Sequence, residues 1–347
     1  MLIYDLIVIG FGKAGKTLAA KMAMQGKKVA LIERSKAMYG GTCINIACIP
    51  TKTLLVAAEK GLSFEEVMTE KNAVTSRLNG KNYATISGAG VDIIDAEAHF
   101  LSNKVIEIVS GNQKQELTAE NIVINTGAIS NILPIPGLTT SKNVYDSTGI
   151  QNLDRLPKSL GILGGGNIGL EFAGLFNKLG SKVTVLDAAD TFLPRVEPSI
   201  AAMAKQYMEE DGIEILQNVF TQEVKNDGDE VIVVTKNKSF HFDALLYATG
   251  RKPNIEPLKL ENTDIQITDR AIQVDKHCQT SVSGVFAVGD VNGGLQFTYV
   301  SLDDFRIVFS YLAGDGSYTL DNRKNVPTTM FIAPPLAQIG LTEAQVK

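Results

Sequence analysis

Short apolar runs alternate along the chain with longer stretches of helical periodicity. Residues 6–9 are wholly apolar, as expected of a buried parallel strand. A helical pattern covers residues 16–24, and residues 28–33 form a second strand-like run that ends in an acid. The same order returns as a strand, a helix and a strand at residues 159–163, 170–179 and 182–187. Two β-α-β units of this kind predict an α/β fold with parallel sheets.

Weaker patterns fill the rest of the chain. Further helices are predicted at residues 53–61, 65–79, 200–211 and 295–312. Alternation at residues 91–111 predicts antiparallel strands, and apolar runs predict strands at 122–126, 231–234, 244–249 and 284–288. Residues 251–254 are predicted to form a turn.

Glycines follow the first strand of each unit, at Gly10, Gly12 and Gly15 and again at Gly164, Gly166 and Gly169. They permit a tight turn and the close approach of a pyrophosphate, which binds at a helix N-terminus where free N–H groups favour anions. Glu33 lies 23 positions after Gly10, and Asp187 lies 23 positions after Gly164. Strand, glycines, helix, strand and acid together predict two dinucleotide sites, with each acid accepting hydrogen bonds from a ribose.

Each unit closes with an apolar strand that ends in Thr-Gly, and we interpret Gly127 and Gly250 as backbone turns leaving the units. A later strand ending in Gly289 and Asp290 predicts that the chain returns to the first domain. We therefore expect two Rossmann-like domains, one inserted in the other. The predicted spans are 1–149 and 277–325 for the first domain and 150–276 for the second.

Composition excludes several classes of protein. The 347 residues are 44% hydrophobic and 20% charged, with a net charge of -5, which argues against a nucleic-acid or anionic-membrane partner. The apolar N-terminus lacks the basic start and cleavage site of a signal peptide. No apolar run approaches the ~20 residues of a spanning helix. These features predict a cytoplasmic protein of two or three domains.

Two cysteines, Cys43 and Cys48, lie five positions apart between Gly40-Gly41 and Pro50. On a regular helix five residues rise about 7.5 Å, whereas a disulfide needs Cα atoms ~4.4–6.8 Å apart. The backbone is therefore expected to be irregular here, and the glycines and the proline supply the reason.

A close pair in a cytosolic protein is more often catalytic or metal-binding than structural, and a redox disulfide is the favoured interpretation of this pair. Structural metal ligation and two inert buried cysteines are the alternatives. A zinc site needs more ligands, and the remaining candidates stand isolated: Cys278, His99, His241 and His277. Cys278 has no partner at useful spacing and is interpreted as an incidental thiol.

The run Gly-Gly-Thr-Cys-Ile-Asn-Ile-Ala-Cys-Ile-Pro-Thr-Lys at 40–52, with both fingerprints and the late Gly-Asp, resembles the flavoprotein disulfide reductases. This family includes lipoamide dehydrogenase, glutathione reductase and mercuric reductase, and the resemblance covers the whole chain. Residues 48–52 and 293–308 are similar to a narrower subgroup, the bacterial hypochlorite-resistance flavin reductases. These are described as acting on metal ions such as Cu(II) or Hg(II).

The resemblance implies FAD in the domain at 1–149 and 277–325, NAD(P)H in the domain at 150–276, and the beginning of a truncated α+β interface domain at 326–347. The adenosine half of FAD would be bound by Gly10, Gly12, Gly15 and Glu33, and its ribityl chain by Asp290. The nicotinamide cofactor would be bound by Gly164, Gly166, Gly169 and Asp187. Further cofactor contacts are implied for Gly41, Thr42, Gly127, Gly250 and Gly289.

The resemblance also implies the electron route, from NAD(P)H through FAD to a Cys43–Cys48 disulfide. Cys48 would lie nearest the flavin as a thiolate, and Cys43 would face the substrate. Lys52 would sit by the reactive flavin nitrogen, with Glu171 as its ion-pair partner. The acceptor would be a small disulfide, a metal ion or an oxidant, in oxidant defence.

Three departures from the family pattern change expectations. Ala47 stands where glycine is usual, so its methyl group is expected to crowd the flavin or shift the Cys48 backbone. Asn167 replaces the tyrosine that gates the nicotinamide in many relatives, so that gate is expected to be absent. Asp187 is acidic and residues 188–190 add no basic partner for a 2′-phosphate, which predicts NADH over NADPH.

Relatives continue into an interface domain that makes a homodimer and supplies a His-Pro base, and no histidine here precedes a proline. We therefore expect weak dimerisation or a monomer. We also expect the missing base to lower activity more with dithiol substrates than with metal ions. The alternatives to a reductase are an FAD-binding fragment without turnover and a thiol redox sensor acting through Cys43.

Overall fold

The computed structural model describes residues 1–346. Its α-helices are α1 (Lys13–Met24), α2 (Thr42–Asn45), α3 (Cys48–Glu59), α4 (Phe64–Gly88), α5 (Asn167–Lys178), α6 (Pro198–Glu210), α7 (Thr298–Ala313) and α8 (Glu343–Val346). Its strands are β1 (Leu2–Ile9), β2 (Val29–Glu33), β3 (Asp92–Asp95), β4 (Glu97–Ser102), β5 (Val105–Ser110), β6 (Gln113–Ile124), β7 (Ala128–Ser130), β8 (Val144–Tyr145), β9 (Ser159–Leu163), β10 (Lys182–Leu186), β11 (Glu214–Leu216), β12 (Thr221–Asp227), β13 (Glu230–Thr235), β14 (Ser239–Phe242), β15 (Ala244–Tyr247), β16 (Arg251–Pro253), β17 (Ile267–Thr268), β18 (Ala271–Ile272), β19 (Val285–Ala287), β20 (Thr328–Met330) and β21 (Leu336–Gln338).

The chain forms two compact units, each made of three segments. The first unit comprises Met1–Cys48, Thr75–Ile129 and Arg251–Lys324, and the second comprises Ile49–Val74, Ser130–Gly250 and Asn325–Lys347. The domain spans expected from the sequence stay a prediction. No helix in residues 1–346 is both long enough and apolar enough to cross a membrane.

The first unit is built on a seven-stranded sheet in the order β3-β2-β1-β6-β5-β4, with β19 also paired to β6. Strands β1, β2 and β3 run parallel, as do β1, β6 and β19, whereas β4, β5 and β6 form an antiparallel meander. The late strand β19 therefore returns to the first sheet, as the sequence predicted.

Strand β1 is buried on both faces because residues from either side of the sheet cover it. Ile7 and Ile9 pack into one apolar cluster, while Leu6 and Val8 pack into another that includes Leu18 of α1. Consecutive apolar residues are what a strand with two covered faces requires.

The second unit repeats the pattern with a parallel sheet in the order β11-β10-β9-β15-β8 and an antiparallel sheet β12-β13-β14. Its core joins Ile162 of β9 and Val185 of β10 to Phe172 and Phe176 of α5. The predicted α/β class with two glycine-turn units is confirmed.

Some predicted elements were wrong in extent or type. Helix α3 begins at Cys48, so Pro50 lies in its first turn, where the missing N–H has no intrahelical partner to lose. Helix α4 continues through Gly80 to Gly88, because one glycine is tolerated inside a long helix. Strand β3 pairs in parallel with β2, and the turn predicted at 251–254 is instead strand β16, which pairs with β7.

Candidate active site

The turn between β1 and α1 is fixed by contacts that only glycine allows. The Gly10 N–H donates to Ile32 O at 2.8 Å, and Gly10 has φ +100°. A Cβ on Gly10 would lie 2.4 Å from Asn125 O. The Asn125 side chain also supports the turn, since its Oδ1 accepts the Gly15 N–H at 2.8 Å and its Nδ2 donates to Val288 O at 2.8 Å.

Glu33 closes this turn at the end of β2. One carboxylate oxygen accepts the Phe11 N–H and the other accepts the Ser35 N–H, each at 3.1 Å. Burial raises the pKa of Glu33. Each oxygen has further lone-pair capacity, so the carboxylate is able to accept ribose hydroxyls as well.

The donor set at this turn fits a bound pyrophosphate. In the first turn of α1 the Ala14 N–H donates to Ser301 Oγ at 3.3 Å, and Gly15 uses Asn125. Within residues 1–346 no protein acceptor takes the Gly12 N–H, which is the N-cap position of α1. A free N–H at a helix N-terminus is what a phosphate oxygen requires.

The segments around Gly41 and Asp290 also fit FAD. A Cβ on Gly41 would lie 2.8 Å from Gly12 Cα, so this glycine turn packs directly on the fingerprint. The Gly289 N–H donates to Asp304 Oδ2 at 2.6 Å, which fixes the backbone before Asp290. Burial raises the pKa of Asp290, and the positive charge of Arg251 opposes that rise.

The second unit repeats the glycine turn with the same backbone contacts. The Gly164 N–H donates to Leu186 O at 2.9 Å, and a Cβ on Gly164 would lie 2.7 Å from Ala248 O. A Cβ on Gly169 would lie 2.1 Å from Gly164 O, whereas one on Gly166 would meet nothing within 4 Å. Protein packing therefore requires Gly164 and Gly169, and leaves open space beside Gly166.

Three other predicted cofactor positions are located at turns. Gly127 and Gly250 have φ +68° and +92°, respectively, and a Cβ on Gly127 would lie 3.8 Å from Thr42 Oγ1. Asp187 follows β10, and its Oδ1 accepts the Ala189 N–H at 3.3 Å.

The cysteine pair lies where the backbone is irregular, as predicted. Cys43 is in the single-turn helix α2, Cys48 begins α3, and Ile46 and Ala47 separate the two helices. Both cysteines are free thiols, and their side chains are hydrogen-bonded to each other. That hydrogen bond, and then burial, raises the pKa of Cys43.

Thr298, the first residue of α7, contacts both sulfurs. Its Oγ1 lies 3.5 Å from Cys48 Sγ, and its hydrogen bond to Cys43 lowers the pKa of that thiol. No role for Thr298 was predicted from the sequence. It was included in the run 293–308, but nothing local links it to cysteines 250 positions away.

Asn45 is a second missed residue. Its Nδ2 donates to Tyr39 O at 3.0 Å and to Gly41 O at 2.9 Å, and its Oδ1 accepts from Asn79 at 3.1 Å. These bonds tie the glycine turn to the helix that holds Cys43.

Lys52 and Glu171 form the ion pair that the resemblance implied, within the second unit. Lys52 Nζ lies 2.5 Å from Glu171 Oε2, and Glu171 Oε1 accepts the Phe331 N–H at 3.1 Å. The ammonium also lies 4.4 Å from the centre of the Phe331 ring. No role for Phe331 was predicted from the sequence.

The structure also locates Asn167 and Cys278, which the sequence pattern singled out. Asn167 is the first residue of α5. Cys278 is fully buried in the apolar cluster around Phe286, and burial raises its pKa. No group of three or more His, Cys, Asp or Glu side chains in residues 1–346 is arranged to hold a metal ion.

The fold is that of the flavoprotein disulfide oxidoreductases. The chain belongs to the pyridine nucleotide-disulphide oxidoreductase family, whose profile matches residues 4–304. It is 46% identical over 346 residues to a probable pyridine nucleotide-disulfide oxidoreductase, RclA, of Escherichia coli, covering 99% of this chain and 78% of that protein. It is 32% identical over 365 residues to dihydrolipoyl dehydrogenase of Geobacillus stearothermophilus, covering 99% of this chain and 76% of that protein.

A solved structure is similar over the whole length of the chain. It is the Cu(II) complex of the HOCl-induced flavoprotein disulfide reductase RclA from Escherichia coli, with a TM-score of 0.98 and 46% identity. The match covers 100% of this chain and 79% of that one. The family relationship predicted from the sequence is confirmed.

Proposed function

We propose that this chain is an FAD-dependent reductase that takes electrons from NAD(P)H and delivers them through Cys43 and Cys48 to a disulfide or a metal ion. Bound FAD would supply the two-electron chemistry that links the nicotinamide to the thiol pair. The observation that carries the proposal is the thiol pair, hydrogen-bonded together and to Thr298, in the same unit as the first glycine fingerprint.

With a disulfide acceptor, the cysteine pair would react in two successive thiol–disulfide exchange steps. Cys43, as a thiolate, attacks one acceptor sulfur, the acceptor S–S bond breaks, and the leaving thiolate takes a proton. The Cys48 thiolate then attacks the Cys43 sulfur, which restores the 43–48 disulfide and releases the second thiol. With Cu(II), two ions each accept one electron as the dithiol becomes a disulfide and loses two protons.

Lys52 and Glu171 are proposed as the pair that sets the charge beside the flavin. Glu171 is buried and uses both carboxylate oxygens, so it holds the ammonium in one place. A fixed cation stabilises negative charge that develops nearby during reduction.

Anaerobic titration of the FAD-loaded protein with NADH tests the electron route. We expect bound FAD, long-wavelength absorbance from a thiolate beside it, and two new titratable thiols per chain. Cys48→Ser should remove that absorbance while FAD stays bound. A protein that binds no FAD, or that gains no thiols on reduction, would refute the proposal.

NADH is the proposed electron donor in preference to NADPH. Asp187 presents a carboxylate at the end of β10, and residues 188–190 carry no basic side chain to pair with a 2′-phosphate. Steady-state rates measured with NADH and with NADPH test this preference, and faster turnover with NADPH would contradict the proposal.

Metal ions of the Cu(II) or Hg(II) type are the proposed acceptors beside small disulfides, in oxidant defence. The support is the similar Escherichia coli protein, RclA, an HOCl-induced flavoprotein disulfide reductase whose structure was solved as a Cu(II) complex. NADH-dependent formation of Cu(I), followed with a Cu(I) chelator and lost in Cys43→Ser, would support this acceptor class. Equal rates in Cys43→Ser would exclude the pair from the route.

A further inference from the structure

Asn125 is a buried polar side chain that the proposed electron route does not use. It directly follows β6 and is 5% exposed. Its Oδ1 accepts the Gly15 N–H in the first turn of α1, and its Nδ2 donates to Val288 O directly after β19, each at 2.8 Å. One carboxamide therefore joins the glycine turn to the ends of β6 and β19.

The Asn125 side chain also fills the space beside the glycines of the first fingerprint. A Cβ on Gly12 would lie 2.4 Å from Asn125 Oδ1, and one on Gly15 would lie 2.8 Å from the same atom. Next to Gly15, the Ala14 N–H donates to Ser301 Oγ at 3.3 Å. Two consecutive N–H groups of the first helical turn thus have side-chain acceptors, which fixes this turn through bonds within the protein.

The second unit has the same glycine turn without this support. The Ala248 N–H donates to Leu163 O as the Asn125 N–H donates to Ile9 O, each at 2.8 Å, so Ala248 has the equivalent backbone position. Its methyl group neither donates nor accepts a hydrogen bond. Within residues 1–346, no side chain accepts an N–H from the first turn of α5. A Cβ on Gly166 would meet nothing within 4 Å, so the space that Asn125 fills in the first unit is open here.

We propose that Asn125 is a positioning residue that preforms the first glycine turn for the pyrophosphate of FAD. The proposal rests on the proposed function, in which this turn holds FAD. A turn that is already ordered loses little conformational freedom on binding, so nearly every molecule is competent to bind. The second turn, with alanine at the equivalent position, orders around its dinucleotide instead. The first site is thereby suited to a retained cofactor and the second to one that is exchanged in each turnover.

The kinetics of FAD binding to the FAD-free 347-residue chain test this role. Quenching of flavin fluorescence gives the association rate constant, and release of FAD after dilution gives the dissociation rate constant. Asn125→Ala installs the residue of the second unit. It should lower the association rate constant about tenfold, because two hydrogen bonds that order the turn are lost and fewer molecules are competent. Dissociation should change by less than about twofold, because bound FAD orders the turn in both proteins.

Asn103→Ala is the matched control in the loop between β4 and β5 of the same unit. Asn103 also accepts a backbone N–H and donates one bond, since its Oδ1 accepts the Asp264 N–H at 2.8 Å and its Nδ2 donates to Asp264 Oδ2 at 2.7 Å. Both rate constants of this variant should equal those of the wild-type protein. An association rate in Asn125→Ala equal to that of the control, or weaker binding caused by faster dissociation, would overturn the proposal.

Amide hydrogen exchange of the wild-type protein gives a second test that does not depend on how a variant folds. We expect residues 10–18 to be protected before FAD is added, at least ~tenfold more than residues 164–172 relative to the intrinsic rates. Residues 164–172 should become protected when NADH is added. Equal protection of the two segments in the absence of both cofactors would contradict a preformed first turn.

The two proposals fail in different ways. If the wild-type protein binds FAD and gains thiols with NADH, but Asn125→Ala binds FAD as fast as Asn103→Ala, only the role of Asn125 is lost. If the wild-type protein binds no FAD, the proposed function and the role of Asn125 are both lost.

Discussion

Thr298 touches both sulfurs of the thiol pair. Its hydroxyl donates to Cys43 and so favours the thiolate, opposing the effects of Cys48 and of burial. A hydrogen bond of this kind is worth about 0.5–1.5 kcal/mol, or roughly half to one pKa unit.

Thr298→Val should therefore slow the reaction of Cys43 with a maleimide at neutral pH by roughly three- to tenfold, because it keeps the shape and removes the donor. Stopped-flow kinetics over a range of pH measures the shift. Thr85→Val is the control, since the Thr85 hydroxyl bonds only to Lys81 O within α4. A rate equal to that of the control would show that Thr298 does not act on Cys43.

Lys16, which is buried on α1 and donates to Gly40 O and Asn82 Oδ1, makes stability depend on pH. Its folded pKa of about 8 lies below the ordinary value of 10.5, so between these values the unfolded chain binds more protons. The cost of burying the charge is present below about pH 8 and disappears as the pH rises toward about 10.5.

We expect the stability of the wild-type protein relative to Lys16→Met to increase between about pH 7 and about pH 10, by at most about 3 kcal/mol. Urea unfolding of both proteins in the same redox state at each pH measures the difference. A difference that stays constant with pH would mean that Lys16 titrates as in water.

Functional residues can be predicted from the sequence when the spacing of neighbouring residues marks them. Cys43, Cys48 and the glycines were found because spacing alone marks them. Thr298, Asn125 and Lys16 were missed because their partners lie far away in the chain. Asn125 shows why a local pattern is not enough to find such residues. Its backbone N–H donates to Ile9 O at 2.8 Å, and in the second unit the N–H of Ala248 donates to Leu163 O at 2.8 Å. The two units therefore share this backbone bond but have different side chains at the position.

The strand–glycine–helix turn is the element on which the FAD site depends. Gly10 precedes α1 and Gly26 follows it, and both have positive φ, +100° and +83°. A Cβ on Gly10 would collide with Asn125 O, whereas one on Gly26 would meet nothing within 4 Å. Alanine at Gly26 would therefore add backbone strain alone, whereas alanine at Gly10 would add both backbone strain and a steric collision.

Gly26→Ala should cost about 1 kcal/mol from the left-handed backbone alone. Gly10→Ala should cost at least ~3 kcal/mol, because the collision adds to the strain, and should also release FAD. Denaturant unfolding and the flavin content of the purified variants measure both effects. Similar losses in the two variants would refute the steric argument.

The pair between α3 and α5 is the second element-scale feature. The Glu171 side chain is 10% exposed and that of Lys52 is 30% exposed, so the ion pair is partly shielded from water. Glu171→Gln leaves a cation without its partner and should destabilise the protein by about 1–3 kcal/mol.

Glu209→Gln is the matched control on α6. Its partner Lys205 lies 3.8 Å away and its own side chain is 47% exposed, so the loss should stay within about 0.5 kcal/mol. Unfolding midpoints of the two variants compare them directly. Equal midpoints would show that burial adds nothing to the Lys52 pair.

Sequence periodicity predicted the two β-α-β units well because strands covered on both faces are wholly apolar. It did not predict where α3 begins, since Pro50 is compatible with either a break or a first helical turn. It also missed the strand pairing at Arg251–Pro253, because that pairing depends on residues more than a hundred positions earlier.

The molecule as a whole has two similar units with different proposed tasks. Their acids occupy equivalent positions in sequence, Glu33 after β2 and Asp187 after β10. Glu33→Ala should lower the FAD content of the purified protein. Asp187→Ala should leave FAD bound and raise the KM for NADH roughly tenfold, for the loss of about 1.4 kcal/mol of binding. Flavin absorbance and steady-state kinetics separate the two, and loss of FAD in Asp187→Ala would contradict the assignment.

The long strand β6 carries a consequence for biosynthesis. It pairs with the preceding strand β5, with the N-terminal strand β1, and also with β19, whose residues Val285, Phe286 and Ala287 are fully buried. About 160 residues leave the ribosome between the end of β6 and the start of β19, and pairings so distant in sequence form slowly. The fingerprint at Gly10 therefore belongs to a sheet that is completed only when residue 287 has emerged. A nascent chain should acquire FAD late in translation, after the inserted residues 130–250 have had time to fold.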